Sequence, residues 1–402
     1  MGCNVRHVPL GDLVTMTSGG TPDKKNQEYW NGDIPWISAK TLKGDYVISS
    51  NLFITEEGLD SSAAKLAPTG SLLLLTRGSG LFKRIPLALV GREVAYNQDI
   101  KCLTSKRAGI SNRYIFYVLK ALEPSINGML ETTGIGAGKL STDLLEQLPI
   151  PVLDENARTN AVNFFDTLTN KLALNTRING YLEELALAML REEVVGSFPY
   201  GVTTVGAFAK QMSNGATPSR KQPHYWNGGT IPWVKTGEVN NNIIFRTEEH
   251  ITQEALEKTS VHLLPVDTVV MALYGRGTAG RVGLLKTRAT TNQACTAMIC
   301  SSSSRAFYLY LILQNMFKQI DSLTRGSVQQ NLSKDIVADI QIPDITNDYL
   351  NDRGFGLIYS KIAEGERENL TLGELRDALL PKLMSGEIDV SNVMVPMKEG
   401  KS

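Results

Sequence analysis

Over 402 residues this chain carries only four cysteines, four histidines and no net charge. Cys3, Cys102, Cys295 and Cys300 form no CxxC pair and have no histidine at ligand spacing, so neither a zinc site nor a disulfide framework is indicated and inert thiols are expected. The histidines (His7, His224, His250, His262) make no HExxH pair, and no serine sits in a G-x-S-x-G elbow. The chain also lacks any Pro-Pro pair, which removes the polar-Pro-Pro-aromatic loop that methylation of a flipped base's amine requires. A catalytic centre is therefore not expected. No apolar run reaches the roughly 20 residues of a membrane helix. The opening MGCNVRHVPLGDLV lacks the basic start, apolar stretch and cleavage site of a signal peptide, so the cytoplasm is the expected compartment and a membrane is not an expected partner.

Two stretches come near to nucleotide-binding motifs and fail. Gly275 to Gly280 matches GxGxxG, but RVGLLK follows it as a further strand and no acidic residue stands about 20 positions on, which points to a hairpin turn. Gly134 to Lys139 has Thr133 where a phosphate loop needs glycine and Leu140 where it needs Ser or Thr.

What is present is enough chain for two or more cores, with 42% hydrophobic and 20% charged residues. The 41 basic and 41 acidic residues are unevenly spread. Residues 1–150 hold 16 basic and 14 acidic, 151–200 hold 4 and 7, 201–343 hold 14 and 9, and 344–402 hold 7 and 11, for net charges of +2, −3, +5 and −4. Any phosphate-facing surface is expected on the first and third segments.

Sliding the chain along itself exposes an internal repeat. GGTPDKKNQEYWNGDIPW (Gly19 to Trp36) answers GATPSRKQPHYWNGGTIPW (Gly215 to Trp233) with one inserted residue. SLLLLTRGSG (Ser71 to Gly80) answers TVVMALYGRG (Thr268 to Gly277), and Asn97-Gln98 answers Asn292-Gln293. KLSTDLLEQLPIP (Lys139 to Pro151) matches NLSKDIVADIQIP (Asn331 to Pro343), and Lys171 to Leu190 aligns without gaps on Lys361 to Leu380. Each copy is a globular block followed by a long helix. Within the blocks, Ser71 to Thr76 and Thr268 to Leu273 read as strands, Arg113 to Ala121 and Arg305 to Lys318 as helices, and Ser141 and Ser333 as N-caps of short helices.

Ala161, Phe165, Leu168, Leu172, Asn175, Asn179, Leu182, Ala186 and Met189 follow alternating spacings of four and three, the seam of a coiled coil. From Asn156 to Val194 a rise of ~1.5 Å per residue gives a rod of roughly 55 to 60 Å. Its counterpart, Asn351 to Ser385, is expected to be of similar length and to pack antiparallel on it, with Asn175 and Asn179 fixing the register. The fold class is α+β: two similar globular domains separated by two long helices packed as an antiparallel coiled coil, a pseudo-twofold internal repeat. The expected boundaries are 1–152, 153–196, 197–344 and 345–402.

A duplicated block that opens with Gly-Gly-Thr-Pro and Tyr-Trp-Asn-Gly-x-Ile-Pro-Trp, closes with Leu-Ser and Ile-x-Ile-Pro, and runs into a long Asn-rich helix resembles the specificity subunits of type I restriction-modification systems. The resemblance covers nearly the whole chain. It implies a non-catalytic DNA-binding subunit in which 1–152 and 197–344 are target recognition domains, each reading half of a bipartite asymmetric site, while the helices set the gap. It implies double-stranded DNA and two methyltransferase subunits as partners, with restriction subunits in the full complex. No cofactor is implied for this chain; S-adenosylmethionine, ATP and Mg belong to partner subunits. Two other readings stand beside it: a duplicated protein-binding scaffold without DNA specificity, and the specificity subunit of a related fused methyltransferase-nuclease system.

Shared residues should build the frame, and unshared polar residues in the same loops should meet DNA. Trp30, Trp36, Trp226, Trp233, Pro35 and Pro232 thus count as frame, and Gly20 against Ala216 should matter little if that position tolerates a methyl. The DNA-binding candidates are Lys24, Lys25, Arg220 and Lys221 in the opening loops, Ser38, Lys40, Lys235 and Thr236 after the Ile-Pro-Trp, and Arg77, Lys83, Arg84, Arg276 and Arg281 at the hairpins. Arg and Lys donate to guanine O6 and N7 or hold phosphate.

Overall fold

The computed structural model describes residues 5–134, 136–195, 201–275, 277–325 and 331–392. Cys3 and Arg276 lie outside them. The chain folds into two compact units, Met1–Lys171 with Leu372–Ser402, and Leu172–Thr371. Each takes in parts of both segments that the sequence sets apart as helical spacer.

In the first unit a five-stranded sheet has the order Val14–Ser18, Ile100–Ser105, Leu72–Leu75, Leu87–Val90, Tyr46–Val47. All neighbours are antiparallel except the last pair. Leu72–Leu75 is central and buried at every position, so a continuous leucine run suits it, with apolar neighbours on both faces. A smaller sheet joins Phe53–Ile54, Trp30–Ile37, Val94–Tyr96 and Lys65–Ala67. The helix Asn112–Ala121 is capped by Ser111, which accepts from the Tyr114 N–H, and the Tyr114 hydroxyl donates to the Pro151 carbonyl at 2.7 Å.

The second unit repeats the plan. Its five-stranded sheet runs Gln211–Asn214, Cys295–Ile299, Thr268–Ala272, Val282–Leu285, Asn242–Ile244, again with only the last pair parallel. Ile231–Val234 lies between Glu249–Ile251 and Thr290–Thr291, and Tyr308 on the helix Ser303–Asn315 donates to Pro343 O at 2.7 Å. The GxGxxG stretch connects the antiparallel strands Thr268–Ala272 and Val282–Leu285, with Gly275, Gly277 and Gly280 at positive φ, so it is the hairpin turn that the sequence suggested.

The first long helix is Glu155–Val195, 41 residues, and the second is Phe355–Met384, 30 residues. The expectation of similar lengths fails. Gly354 at φ +72 ends a separate short helix, Asn347–Asp352, before the second long helix begins. In the first unit Ala157, Ala161, Phe165 and Leu168 are buried in one cluster with Leu380, Leu383 and Met384, each large side chain contributing about 1.5 to 3 kcal/mol by burial. In the second unit the seam turns polar. Asn175 Nδ2 donates to Glu368 Oε2 at 2.7 Å, and Asn179 Nδ2 to Glu366 Oε1 at 2.9 Å and to the Ile362 carbonyl at 3.3 Å. Partner numbers fall as residue numbers rise, which makes the helices antiparallel there. Asn179 Oδ1 is buried without a partner among the described residues, so this clasp favours one register at some cost in stability.

Each unit fastens its helical segment to its globular body through an Asp–Tyr hydrogen bond, with the partners exchanged. In the first, Tyr117 of the body donates to Asp166 of the helix at 2.8 Å, and Arg113 pairs with the same carboxylate. In the second, Tyr359 of the helix donates to Asp267 of the body at 2.5 Å, joined by the Ser303 hydroxyl at 2.7 Å and Lys286 Nζ at 3.1 Å. Of the two expected serine caps, Ser333 accepts from the Ile336 N–H, whereas Ser141 occupies its cap position without a side-chain bond.

Candidate nucleic-acid interface

The repeated opening motif builds the same frame in both units. A Cβ on Gly19 would stand 2.0 Å from the Tyr96 carbonyl oxygen, and one on Gly215 2.2 Å from that of Asn292, so only glycine fits this crossing. The indole N–H of Trp36 donates to Gly20 O at 3.0 Å and that of Trp233 to Ala216 O at 3.0 Å. Trp30 and Trp226 close the loops on Asp23 O and Ser219 O. The paired rings meet edge to face, 5.3 Å apart in the first unit and 5.0 Å in the second, an arrangement that aromatic quadrupoles favour. Thr21 donates to Gln98 Oε1, and Thr217 likewise to Gln293. The inserted residue of the second copy is absorbed at Gly228, φ +73, where the first copy turns at Asn31, φ +64. The exchange of Gly20 for Ala216 is not neutral in both copies. A methyl on Gly20 would stand 2.3 Å from the Ala63 carbonyl carbon.

The polar residues around this frame differ sharply between the units. In the first, Lys24, Lys25, Lys40, Arg77, Lys83 and Arg84 are exposed, and none has an ion-pair partner among the described residues. Ser38 folds into a turn in which its N–H donates to the Thr41 hydroxyl at 2.8 Å. In the second unit Lys221 is exposed, but its neighbours are engaged within the chain. The Arg220 guanidinium lies 3.6 Å from the centroid of the Trp226 ring and pairs with Glu249 at 2.5 Å. Lys235 reaches Glu248 at 2.6 Å and Glu249 at 3.2 Å. The bond from Arg220, then that from Lys235, holds the Glu249 carboxyl below its ordinary range, and the two glutamates hold Lys235 above its own. Thr236 is bonded to the Asn292 amide, and Arg281 donates to Asn240.

In the first unit the frame surrounds an open cleft of about 550 Å3 whose lining includes Lys24, Ser38 and Lys40 together with Leu52, Gln98 and Asp99. Three candidates from two stretches of sequence thus meet at one site. Gln98 and Asp99, which line the same cleft, are not among the sequence candidates, and the one sequence feature that marks this place is the repeated Asn-Gln pair. Among the described residues no group of three or more His, Cys, Asp or Glu is placed to hold a metal ion, and no helix is long and apolar enough to cross a membrane. Cys102 and Cys295 are buried, and burial pushes the Cys295 thiol up to about 12, which keeps it protonated and unreactive.

The family model described as type I restriction modification DNA specificity domain matches the chain twice, over residues 4–184 and 200–343. The chain is 24% identical over 424 residues to the MjaIX type I restriction enzyme specificity subunit of Methanocaldococcus jannaschii, covering 96% of this chain and 93% of that one. It is 35% identical over 167 residues, 40% of this chain and 41% of the other, to the EcoR124I/EcoR124II specificity subunit of Escherichia coli. The crystal structure of a type I restriction-modification S subunit from M. genitalium shares the fold at a TM-score of 0.58 and 15% identity, over 95% of this chain and 96% of that one. With two matched copies that together span most of its length, the chain belongs to the family of type I restriction-modification DNA specificity subunits.

Proposed function

We propose that this chain is a non-catalytic sequence-specificity subunit that reads a bipartite, asymmetric site on double-stranded DNA and docks two methyltransferase subunits. The observation that carries the reading is a frame built twice, down to its tryptophan and threonine hydrogen bonds, around unlike polar linings. A repeated frame offers equivalent positions to two identical partners, while unlike linings let the half-sites differ. Residues 1–152 and 197–344 act as target recognition domains, and 153–196 with 345–402 as the spacer. S-adenosylmethionine, ATP and Mg are bound by methyltransferase and restriction partners.

The partner surface is supported by an exposed flank of the first long helix. Leu174, Ile178, Tyr181 and Leu185 repeat at spacings of four, three and four, and each is 44% to 59% exposed. That is a second apolar stripe, flanking the seam one position before Asn175, Asn179, Leu182 and Ala186, and large apolar side chains in a contiguous exposed row mark a surface that a partner covers. Long-read sequencing that detects methylated bases tests the reading, in cells expressing the methyltransferase with and without this chain. A split motif that depends on the chain, and changes in one half when residues 1–152 are exchanged for those of a relative, is the expected result. No chain-dependent motif in an assembled complex would leave a protein-binding scaffold.

A further inference from the structure

The cleft of the first unit differs from its counterpart in charge at four lining positions: Ser38 answers Lys235, Lys40 answers Gly237, and the other two place or remove a carboxylate. Ile54 and Ile251 hold equivalent strand positions, pairing with Ile34 and Ile231, so Leu52 stands where the second unit has Glu249. In the second unit Glu249 draws Arg220 and Lys235 into ion pairs. In the first, Leu52 leaves Lys24, the counterpart of Arg220, with no such partner among the described residues, and Lys40, which stands where the second unit has Gly237, has none there either. In the turn before the strand Ile100–Ser105, Asp99 follows Asn97-Gln98 where Ala294 follows Asn292-Gln293. Asp99 is the one acidic side chain among the described residues lining the cleft. Asn97 Nδ2 donates to its Oδ2 at 3.1 Å, which orients the carboxylate and leaves Oδ1 with no partner among the described residues.

A carboxylate in a surface that approaches phosphates is unfavourable unless it gains a hydrogen bond there. In duplex DNA the donor that suits a carboxylate is the exocyclic amine of cytosine, while the paired guanine presents O6 and N7 to cations. We propose that the cleft lined by Lys24, Lys40, Asn97 and Asp99 reads one C·G base pair, Asp99 accepting from cytosine N4 and the two lysines donating to guanine. Gln98 is held by Thr21 as Gln293 is by Thr217, so it belongs to the shared frame and does not distinguish the half-sites. This inference rests on the DNA-reading function proposed above and names a base pair within it.

The test uses the full chain assembled with its methyltransferase partner, and measures methylation of oligonucleotides substituted at each position of the recognised site. Asp99→Asn preserves shape and removes the charge. Discrimination at one C·G position, in the half-site assigned to residues 1–152, is expected to fall roughly ten- to a hundredfold. Binding to non-cognate DNA is expected to tighten, because a charge that repels phosphate is gone; a purely structural role for Asp99 would not produce that opposite pair of changes. Lys40→Ala, at an exposed position, is expected to relax the same base pair, which keeps the test informative if the aspartate variant misfolds. A chain that directs no split motif overturns both the functional reading and this inference. A wild-type motif with no C·G pair in that half, or with discrimination intact in both variants, overturns this inference alone.

Discussion

Asp267 joins the body of the second unit to the second long helix, and its removal has a cost that the geometry sets. Its carboxylate accepts from Tyr359, Ser303 and Lys286 while only 17% of its side chain is exposed, and its backbone sits at φ +61. Hydrogen bonds to a charged group contribute about 1.5 to 3 kcal/mol each but are not additive, and a left-handed residue with a Cβ costs about 1 to 2 kcal/mol. Asp267→Asn keeps the shape and a residue type that tolerates this backbone, and should cost about 1 to 2 kcal/mol. Asp267→Ala loses every bond and keeps the strain, for about 3 to 5 kcal/mol. Asp267→Gly also loses the bonds but relieves the backbone, and should recover about 1 kcal/mol relative to alanine.

The acid limb follows from the same contacts. Burial pushes the Asp267 carboxyl up, but the bonds from Tyr359, Ser303 and Lys286 outweigh it, so the folded value lies below the ordinary one near 3.9. The stabilisation is therefore complete above the unfolded value and is lost as pH falls through the folded one. Asp267→Asn should lack that loss. Two units need not unfold together, so the assay is hydrogen exchange of amides in Phe307 to Leu313 and Tyr359 to Ala363 under graded denaturant. Equal protection in the alanine and glycine variants, or an alanine cost under about 0.5 kcal/mol, would refute the reasoning.

Other consequences follow from the interface and the helices. Lys83→Ala or Arg84→Ala, with no internal partner to release, should reduce the salt slope of DNA binding by about one if it meets phosphate, whereas Arg220→Ala should leave the slope nearly unchanged and lower the unit's stability by about 1 kcal/mol through the lost tryptophan stack. Titrating DNA affinity against salt for both variants separates them. Ile178→Glu with Leu185→Glu should abolish co-purification of the methyltransferase subunit and leave circular dichroism unchanged; retained assembly would exclude this stripe as the docking face. Deleting one heptad from each long helix removes about 10 Å of rise and should shorten the unread gap of the recognised motif by about 3 base pairs, read from methylated-base sequencing.

The seam of the first long helix was legible because a coiled-coil repeat survives in order along the chain: Ala161, Phe165, Leu168, Asn175, Asn179 and Ala186 are buried as the spacing required, while Leu172, Leu182 and Met189 are half-buried. The length of the second was not, since its boundary depends on a left-handed turn at Gly354 that periodicity does not register. The basic candidates were legible only as charges. Lys24 and Arg220 occupy matching places, and nothing near either in sequence shows that one is open and the other stacked on Trp226 and paired with Glu249.

The sequence by itself determined the duplication, the α+β class, the seam and the frame, because identical local patterns impose identical turns, strands and helix faces wherever they occur. Only the tertiary structure decided which charges remain free, that Asp99 shares a cleft with Lys24 and Lys40, and that the Asp–Tyr fastening exchanges its partners between the units. Those outcomes depend on residues 13 to 92 positions apart reaching within a few ångströms, and electrostatic and hydrogen-bond energies are set by that distance in space.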